Sequence, residues 1–186
     1  MTDRDRVAGD PVRAVFLDRD GVLNRAVIRD GRPYPPESVA ELEVLPGVED
    51  ALWALKAAGY MLIVVTNQPD VARGKVRRDE VEAINAELRA LLPLDALHTC
   101  YHDNSDNCLC RKPRPGALLQ EAELHKIDLS ASFMVGDRWK DIEAGRRAGC
   151  KTIFIDWGYS EPQPVGQNFT TRSLYEAVHI IKDHKI

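Results

Sequence analysis

Two carboxylate side chains follow the first apolar run of the chain. Asp18 comes directly after the run AVFL, residues 14–17, and Asp20 stands two positions further on. Side chains two positions apart in extended backbone point to the same side, so this pair can act together as nucleophile, acid, base or metal ligand. Gly21 then allows the chain to turn. Asp-x-Asp-Gly is also an ordinary turn sequence, so the pair gains meaning only from what the rest of the chain places beside it.

Polar residues also follow the second, third and fourth apolar runs. They are Thr66-Asn67-Gln68, Arg111-Lys112, and Asp137 with Asp141. Because the carboxyl ends of parallel strands meet along one edge of a sheet, we expect a hydroxyl, a lysine and several carboxylates to converge there. The structural alternatives are that Thr66 and Asp137 cap helices and that Lys112 is a solvated loop charge. Four such placements in succession favour a functional site.

A second candidate site lies just before the lysine. It consists of Cys100, His102, Cys108 and Cys110, which supply three thiolates and one imidazole. Four such ligands complete a tetrahedral zinc shell and leave no position for water, so we predict a structural Zn²⁺ that holds the loop delivering Arg111 and Lys112. The alternative is a cluster of free thiols in a reducing compartment, with His102 exposed.

The elements that position these residues alternate between apolar runs and helical patterns. Predicted strands cover residues 13–18, 60–65, 96–101, 132–135 and 151–155, and predicted helices cover 48–58, 79–92, 116–126, 140–148 and 173–182. The strands show little alternation of polar and apolar residues, which is typical of a parallel sheet covered on both faces. We therefore predict an α/β fold with a doubly wound, Rossmann-like sheet. The segment 19–45 is a long excursion of a kind that is usually functional, yet it is too short for a large cap domain.

The size and charge of the chain limit its domain number, partners and location. A chain of 186 residues predicts one domain, residues 13–186, after a mobile N-terminal arm at 1–12. The 29 acidic and 25 basic residues give a net charge of −4, which argues against bulk nucleic-acid binding. The apolar runs are too short to cross a membrane, and we expect a cytoplasmic protein. We expect a monomer, with a weak dimer left open.

Together these motifs resemble those of the haloacid dehalogenase (HAD) superfamily of phosphohydrolases. More narrowly, FLDRDG at 16–21, TNQ at 66–68, ARGK at 72–75, CRKPRPG at 110–116 and VGD at 135–137 are similar to the D-glycero-D-manno-heptose 1,7-bisphosphate 7-phosphatases. The resemblance covers nearly the whole chain. Histidinol-phosphate phosphatases are a sibling group that shares several of these motifs and typically lacks the Ala-Arg-Gly segment.

The resemblance implies a mechanism for the strand-end residues. Asp18 would be the nucleophile that forms an aspartyl-phosphate, and Asp20 the acid and then the base. Mg²⁺ would be held by Asp18, Asp137 and the backbone carbonyl of Asp20, with Asp141 orienting metal-bound water. Thr66 and Lys112 would bind and neutralise the phosphoryl group. The substrate would be a small phosphorylated sugar.

Residues that bind the rest of the substrate are expected among five positions. These are Asn67, Gln68, Arg73, Arg111 and Arg138, with Lys75 as a further candidate. Guanidinium groups suit bidentate recognition of phosphate oxygens. Arg138 stands where the resembling family often has Lys, and Pro69-Asp70 replaces the usual Ser-Gly. These differences, and a flap at 25–36 that matches poorly, leave another sugar phosphate open as substrate.

Three alternatives remain open at this point. One is a histidinol-phosphate phosphatase. Another is a phosphoacceptor signalling domain, although its phosphorylated Asp follows a middle strand rather than the first. The last is a non-catalytic binding module held together by zinc.

Overall fold

A parallel sheet of six strands forms the centre of the molecule. The computed structural model describes residues 11–184. The strands of the sheet are β1 (Ala14–Leu17), β4 (Met61–Asn67), β5 (Ala96–Cys100), β6 (Phe133–Gly136), β7 (Lys151–Ile155) and β8 (Phe169–Thr171). A separate antiparallel hairpin is formed by β2 (Val27–Arg29) and β3 (Arg32–Tyr34).

The strand order is β5-β4-β1-β6-β7-β8, and every neighbouring pair is parallel. β1 therefore lies between β4 and β6, with Leu17 opposite Val64 on one side and Val135 on the other. The chain winds outward from β1 in both directions, so the carboxyl end of β1 is a switch point of the kind at which α/β sheets bind ligands. Asp18 is the first residue beyond it.

Five helices cover the two faces of the sheet. They are α1 (Val48–Ala57), α2 (Arg78–Leu91), α3 (Gly116–His125), α4 (Trp139–Ala148) and α5 (Leu174–Asp183). Alternate residues of β1 point to opposite faces: Val15 and Leu17 pack with α1, α2 and α5, whereas Ala14 and Phe16 pack with α3 and α4. Because both faces are covered, the strand is buried along its whole length. This packing makes β1 a rigid support for the site at the carboxyl end of the strand.

The predicted α/β fold is confirmed. The five predicted strands and five predicted helices are all present, with ends that differ by at most two residues. The sequence pattern missed the β2–β3 hairpin, which lies inside the excursion at 19–45, and the short edge strand β8. No helix among the described residues is long and apolar enough to cross a membrane.

The predicted N-terminal arm falls mostly outside the described residues. Within the described part, Val12 already forms a parallel bridge with Ile127, and its carbonyl accepts a hydrogen bond from the Asp128 amide at 2.8 Å. Regular contacts with the body of the protein therefore begin before residue 13.

Candidate active site

The end of β1 carries a buried cluster of opposite charges. Nζ of Lys112 donates to Oδ1 of Asp18 at 2.8 Å and to the carbonyl of Val65 at 2.6 Å, and it lies 2.7 Å from Oδ1 of Asp141. Burial lowers the pKa of Lys112, but the carboxylates of Asp141 and Asp18 outweigh this effect and raise it to about 12. Lys112 is therefore a fixed positive charge whose three donors are all engaged within the site.

Asp137 is the most poorly satisfied carboxylate of the cluster. It is 1% exposed, and neither of its oxygens has a partner in good hydrogen-bond geometry among the described residues, although the Tyr159 hydroxyl lies close by. One ligand atom each from Asp18, Asp137 and Asp141 lies within 4.8 Å of the others. Burial, followed by the nearby charges of Asp18 and Asp141, raises the pKa of Asp137 well above its usual value. Buried carboxylates this close repel one another unless a cation or protons join them.

Opposing influences act on the pKa of Asp18. Burial raises its pKa to about 6; Lys112 opposes this shift, while Asp141 and Asp20 add to it. The backbone amide of Asp18 donates to the Val135 carbonyl at 3.0 Å, which continues the parallel register past the end of the strand. The carboxylate is therefore fixed by both the sheet and the lysine.

Asp20 has a different set of partners from Asp18. Arg19, whose side chain is fully buried, donates from Nε and Nη2 to the two carboxylate oxygens, both at 3.1 Å. Asn24 donates to Oδ1 at 3.0 Å, and Gln68 donates to Oδ2 at 2.9 Å. Arg19 is fixed in turn by Asn85, 2.9 Å away. Four donor atoms thus orient a carboxylate that still lines the pocket.

Residues 66–68, which include the end of β4, have different roles in the site. The Thr66 hydroxyl oxygen accepts from Gln68 Nε2 at 2.9 Å, which leaves its own proton free to donate toward the pocket that it lines. Asn67 exchanges hydrogen bonds with the backbone of Lys112, at 3.0 and 3.1 Å, and so fixes the loop that carries the lysine. Gln68 is buried and does not line the pocket, so the structure places it behind Asp20 and Thr66.

Two glycines allow the carboxylates to come this close. A Cβ on Gly21, whose φ is +87°, would lie 1.9 Å from Oδ2 of Asp137. A Cβ on Gly136 would lie 2.1 Å from that of Asp141. Both distances are far below van der Waals contact, so any other residue at these positions would displace a carboxylate.

The opening of the pocket is covered from the side of the hairpin. Pro33, Tyr34 and Pro35 line it together with Pro69. The part of the predicted flap that reaches the site is therefore the second strand of the hairpin. Arg29, in the first strand, instead pairs with Glu37 at 2.8 Å.

Three basic side chains line another part of the pocket. Arg111 is 9% exposed, and its Nε donates to Asn104 at 3.0 Å, but its Nη1 has no partner among the described residues. Arg138 forms a two-pronged ion pair with Glu161. Lys140 has no ion pair in the described part of the chain, and burial together with Arg138 and Arg111 lowers its pKa. Arg111 and Lys140 therefore bring to this surface positive charge that forms no ion pair among residues 11–184.

Arg73 lies in a different place from the one expected. Its guanidinium donates to Asp70 at 3.0 Å and to Asp103 at 2.6 Å, and it does not line the pocket. Lys75 is also absent from the lining and lies 4.0 Å from Asp70. The unusual Asp70 is thus neutralised by Arg73, and the pair ties the turn after β4 to the loop after β5.

The last residue of β5 and that loop contain the four predicted zinc ligands. One ligand atom each from Cys100, His102, Cys108 and Cys110 lies within 4.8 Å of the others. Sγ of Cys110 is 3.3 Å from that of Cys100 and 3.4 Å from Nδ1 of His102, and all four cysteines of the chain are free thiols. The structure therefore brings together the complete ligand set that was predicted from the spacing.

Sequence reasoning missed three groups of site residues. Arg19 was hidden between the two carboxylates that drew attention, and Asn24 gave no signal at all. The position of Lys140 was a usable signal, because a lysine in the first turn of a helix opposes the helix dipole. The carbonyl of Gly21 accepts from the Trp157 indole at 2.8 Å, which brings the C-terminal segment to the site.

The chain is similar to known proteins of one family of hydrolases. A family model described as HAD-hydrolase-like matches residues 109–181. A D-glycero-beta-D-manno-heptose-1,7-bisphosphate 7-phosphatase from Pasteurella multocida is 34% identical over 187 residues, covering 93% of this chain and 98% of the relative. A protein of the same name from Helicobacter pylori is 37% identical over 149 residues, covering 77% of this chain and 83% of the relative.

A solved structure is similar over almost the same length. The D,D-heptose 1,7-bisphosphate phosphatase from B. bronchiseptica, complexed with magnesium and phosphate, superposes with a TM-score of 0.76 at 28% identity. The match covers 94% of this chain and 100% of that one.

Proposed function

Because the chain belongs to the family of heptose-1,7-bisphosphate 7-phosphatases among the HAD-like hydrolases, we propose that it hydrolyses the 7-phosphate of a D-glycero-D-manno-heptose 1,7-bisphosphate. The observation that carries this proposal is the buried arrangement at the end of β1. There Asp18 contacts Lys112 while Asp137, beside it, has both oxygens unpartnered. A nucleophile, a fixed positive charge and a set of cation ligands thus meet at the end of β1.

The residues present fit a magnesium ion. Asp18 and Asp137 offer carboxylate oxygens, which Mg²⁺ prefers as ligands. The oxygens of Asp137 are not used by other hydrogen bonds and can therefore bind the ion. Asp141 belongs to the same group of oxygens but is engaged by Lys112 and by the Arg138 amide at 3.0 Å. We therefore assign Asp18, Asp137 and the backbone carbonyl of Asp20 as ligands, and Asp141 as a residue that would orient water bound to the ion. When bound, Mg²⁺ supplies positive charge that offsets the carboxylates and the transferring phosphoryl oxygens.

The protein's own side chains supply the chemical steps. Asp18 attacks the phosphorus with an oxygen of its carboxylate, while Lys112 and the Thr66 hydroxyl stabilise the charge on the phosphoryl oxygens. Asp20 donates a proton to the departing sugar oxygen and later accepts one from the water that hydrolyses the aspartyl-phosphate. Arg19, Asn24 and Gln68 hold Asp20 in place for both transfers.

We further propose that Cys100, His102, Cys108 and Cys110 bind a structural Zn²⁺. Burial raises the pKa of the Cys100 thiol, and a metal ion compensates for this by stabilising the thiolate. The chain proceeds from Cys110 directly into Arg111 and Lys112, so the zinc loop sets the position of the catalytic lysine. A single catalytic domain, a monomeric state and a cytoplasmic location are further parts of this proposal.

Phosphate-release kinetics test the proposed function. The panel consists of both anomers of heptose 1,7-bisphosphate, histidinol phosphate and simple hexose phosphates, each with and without Mg²⁺. We expect the highest kcat/KM for a heptose bisphosphate, above histidinol phosphate by more than about tenfold, and no turnover without Mg²⁺. A preference for histidinol phosphate would assign the chain to that activity. No release from any substrate would favour a non-catalytic module.

A further inference from the structure

One polar residue interrupts the buried face of α2. The buried residues of this helix are Val81, Ile84, Asn85 and Leu88, at the spacing of a face that packs against a core. Ile84 and Leu88 belong to the apolar cluster between the sheet and the helices α1, α2 and α5, whereas Asn85 is an amide and is only 2% exposed. Burying an amide costs free energy unless its polar atoms are paired. The position therefore calls for a reason other than packing.

The partners of Asn85 point toward the active site. Its Nδ2 donates to the hydroxyl oxygen of Thr99 in β5 at 3.1 Å, and its Oδ1 accepts from Nη1 of Arg19 at 2.9 Å. Because a guanidinium only donates hydrogen bonds, the oxygen of the amide has to face Arg19. Both ends of the amide are thus used, and α2 is joined by this residue to the segment that follows β1.

Arg19 directs the rest of its guanidinium to the proposed catalytic acid. The side chain is fully buried, and its Nε and Nη2 donate to the two carboxylate oxygens of Asp20, both at 3.1 Å. Two parallel hydrogen bonds fix the plane of a carboxylate as well as its position. Among residues 11–184, Asn85 accepts the remaining side-chain hydrogen bond of Arg19. The orientation of Asp20 therefore depends on a contact made in α2.

We propose that Asn85 is a positioning residue for the acid step: it fixes Arg19, which fixes Asp20. As the bond between phosphorus and the sugar oxygen breaks, that oxygen keeps the bonding electrons and takes the proton of the Asp20 carboxyl group. This inference rests on the proposed function, because it takes Asp20 as the acid. Asn85 does not line the active-site pocket, so loss of its contact changes proton donation and leaves the groups that bind the phosphoryl oxygens in place.

The leaving group of the substrate distinguishes this role from a general effect on folding. A sugar oxygen is a poor leaving group and needs a proton, whereas p-nitrophenolate is stable as an anion and departs without one. Both kinds of ester undergo the same attack by Asp18. The value of kcat/KM covers the steps up to the departure of the leaving group and excludes the later hydrolysis of the aspartyl-phosphate. The ratio of the two kcat/KM values therefore reports the acid step.

The test measures kcat/KM for heptose 1,7-bisphosphate and for p-nitrophenyl phosphate with the Mg²⁺-loaded wild type, Asn85→Leu and Asn85→Asp. Asn85→Leu has nearly the same size but no acceptor for Arg19. Its kcat/KM for the sugar bisphosphate should fall by about tenfold or more, since general acid catalysis contributes at least that much. For p-nitrophenyl phosphate the value should stay within about twofold. Asn85→Asp keeps an oxygen facing Arg19 and should recover most of the activity on the sugar bisphosphate.

A matched control is Ile84→Val, which changes the neighbouring buried residue of α2 and none of these hydrogen bonds. It should lower the melting temperature slightly and leave the ratio of the two kcat/KM values unchanged. If Asn85→Leu does not fold, Asn85→Ala, which adds no atoms to the site, gives the same comparison. An equal loss on both substrates, or no loss on the sugar bisphosphate, would overturn the inference.

The two substrates also separate failure of this inference from failure of the proposed function. If the wild type hydrolyses p-nitrophenyl phosphate and a hexose phosphate but not heptose 1,7-bisphosphate, the proposed function is wrong. The inference is then judged by the same ratio with the hexose phosphate, whose leaving oxygen is also that of an alcohol. A selective loss in Asn85→Leu would support it, and an unchanged ratio would refute it. A wild type that hydrolyses no sugar phosphate at all would refute both, because there would be no acid step to position.

Discussion

Asp18 and Asp20 are two positions apart, but the side chains around them suit them to different chemical roles. Asp18 faces Lys112 and the other buried carboxylates, whereas Asp20 is held by Arg19, Asn24 and Gln68. The first arrangement favours attack on phosphorus next to a cation. The second fixes the direction of a proton donor. This division of roles between two nearby carboxylates rests on their partners, since their side chains are chemically identical.

Replacing the proposed nucleophile, Asp18, is the most direct test at the scale of single residues. Asp18→Asn is nearly isosteric but has no anionic oxygen for the attack, so kcat should fall by at least about 10³-fold. Thermal unfolding should show a folded protein, because the amide can still occupy the same space. Steady-state phosphate release measures the loss. Turnover within about tenfold of the wild type would rule out Asp18 as nucleophile.

Gln68 separates a positioning role from a binding role. It was expected to contact substrate, but it lies behind the pocket and donates to both Asp20 and Thr66. Gln68→Leu should therefore lower kcat by about tenfold or more through misplaced acid catalysis, with KM changed by less than about threefold. Initial-rate kinetics over a range of substrate concentrations provide both values. A rise in KM with unchanged kcat would restore the original expectation.

The raised pKa values of the carboxylates predict how metal binding depends on pH. In the metal-free protein the pKa of Asp18 is about 6, raised by burial, and that of Asp137 is also raised by burial. Protons therefore compete with Mg²⁺ as pH falls, and the half-saturating Mg²⁺ concentration should decrease as pH rises from about 5 to 7, by up to about tenfold per unit for each proton displaced. Mg²⁺ titrations of activity at several pH values measure it. A half-saturating concentration independent of pH would contradict these pKa shifts.

Among the elements, the loop between β5 and α3 connects the cysteines of the proposed zinc site to the active site. Cys108 and Cys110 precede Arg111 and Lys112, and the Arg114 guanidinium donates back to the Cys108 carbonyl at 2.6 Å. The loop contains no long regular element, so its shape depends on these contacts and on the proposed zinc ion. Loss of the ion should therefore disturb both stability and catalysis.

Cys108→Ser tests this dependence. We expect bound zinc, measured by elemental analysis, to drop well below one equivalent, the melting temperature to fall, and kcat to decrease by about tenfold or more as Lys112 loses its fixed position. Cys150→Ser is the matched control, because Cys150 lies outside the cluster. Unchanged zinc content in Cys108→Ser would remove Cys108 from the ligand set. Loss of zinc with an unchanged kcat would show that the loop does not position Lys112 for catalysis.

The elements that carry the site were largely predictable, and the reason is physical. Buried parallel strands need uninterrupted apolar runs, so β1, β4 and β6 are visible in the sequence, and the polar residues at their ends are visible too. The β2–β3 hairpin was missed because its strands are only three residues long and partly exposed. Arg73 was misplaced because nothing in the sequence shows that Asp70 and Asp103 converge on it. Pairings between distant loops depend on the fold as a whole.

At the scale of the whole molecule, two peripheral segments close the site without a separate cap domain. The hairpin places Tyr34 at the pocket, and the segment after β7 contacts both the hairpin and a pocket residue, Arg138. There the Ser160 amide donates to the Gly31 carbonyl at 2.8 Å, and Glu161 pairs with Arg138. A pocket framed in this way is consistent with the proposed small sugar phosphate. The overall negative charge thus coexists with a local positive surface.

The central claim is that this pocket removes one particular phosphate from a heptose bisphosphate. ³¹P NMR of D-glycero-D-manno-heptose 1,7-bisphosphate incubated with the Mg²⁺-loaded protein tests it most directly, because the two phosphates give separate signals. We predict that the signal of the 7-phosphate disappears and inorganic phosphate appears, while the signal of the anomeric phosphate persists. Loss of the anomeric phosphate first, or two unchanged signals, would contradict the account.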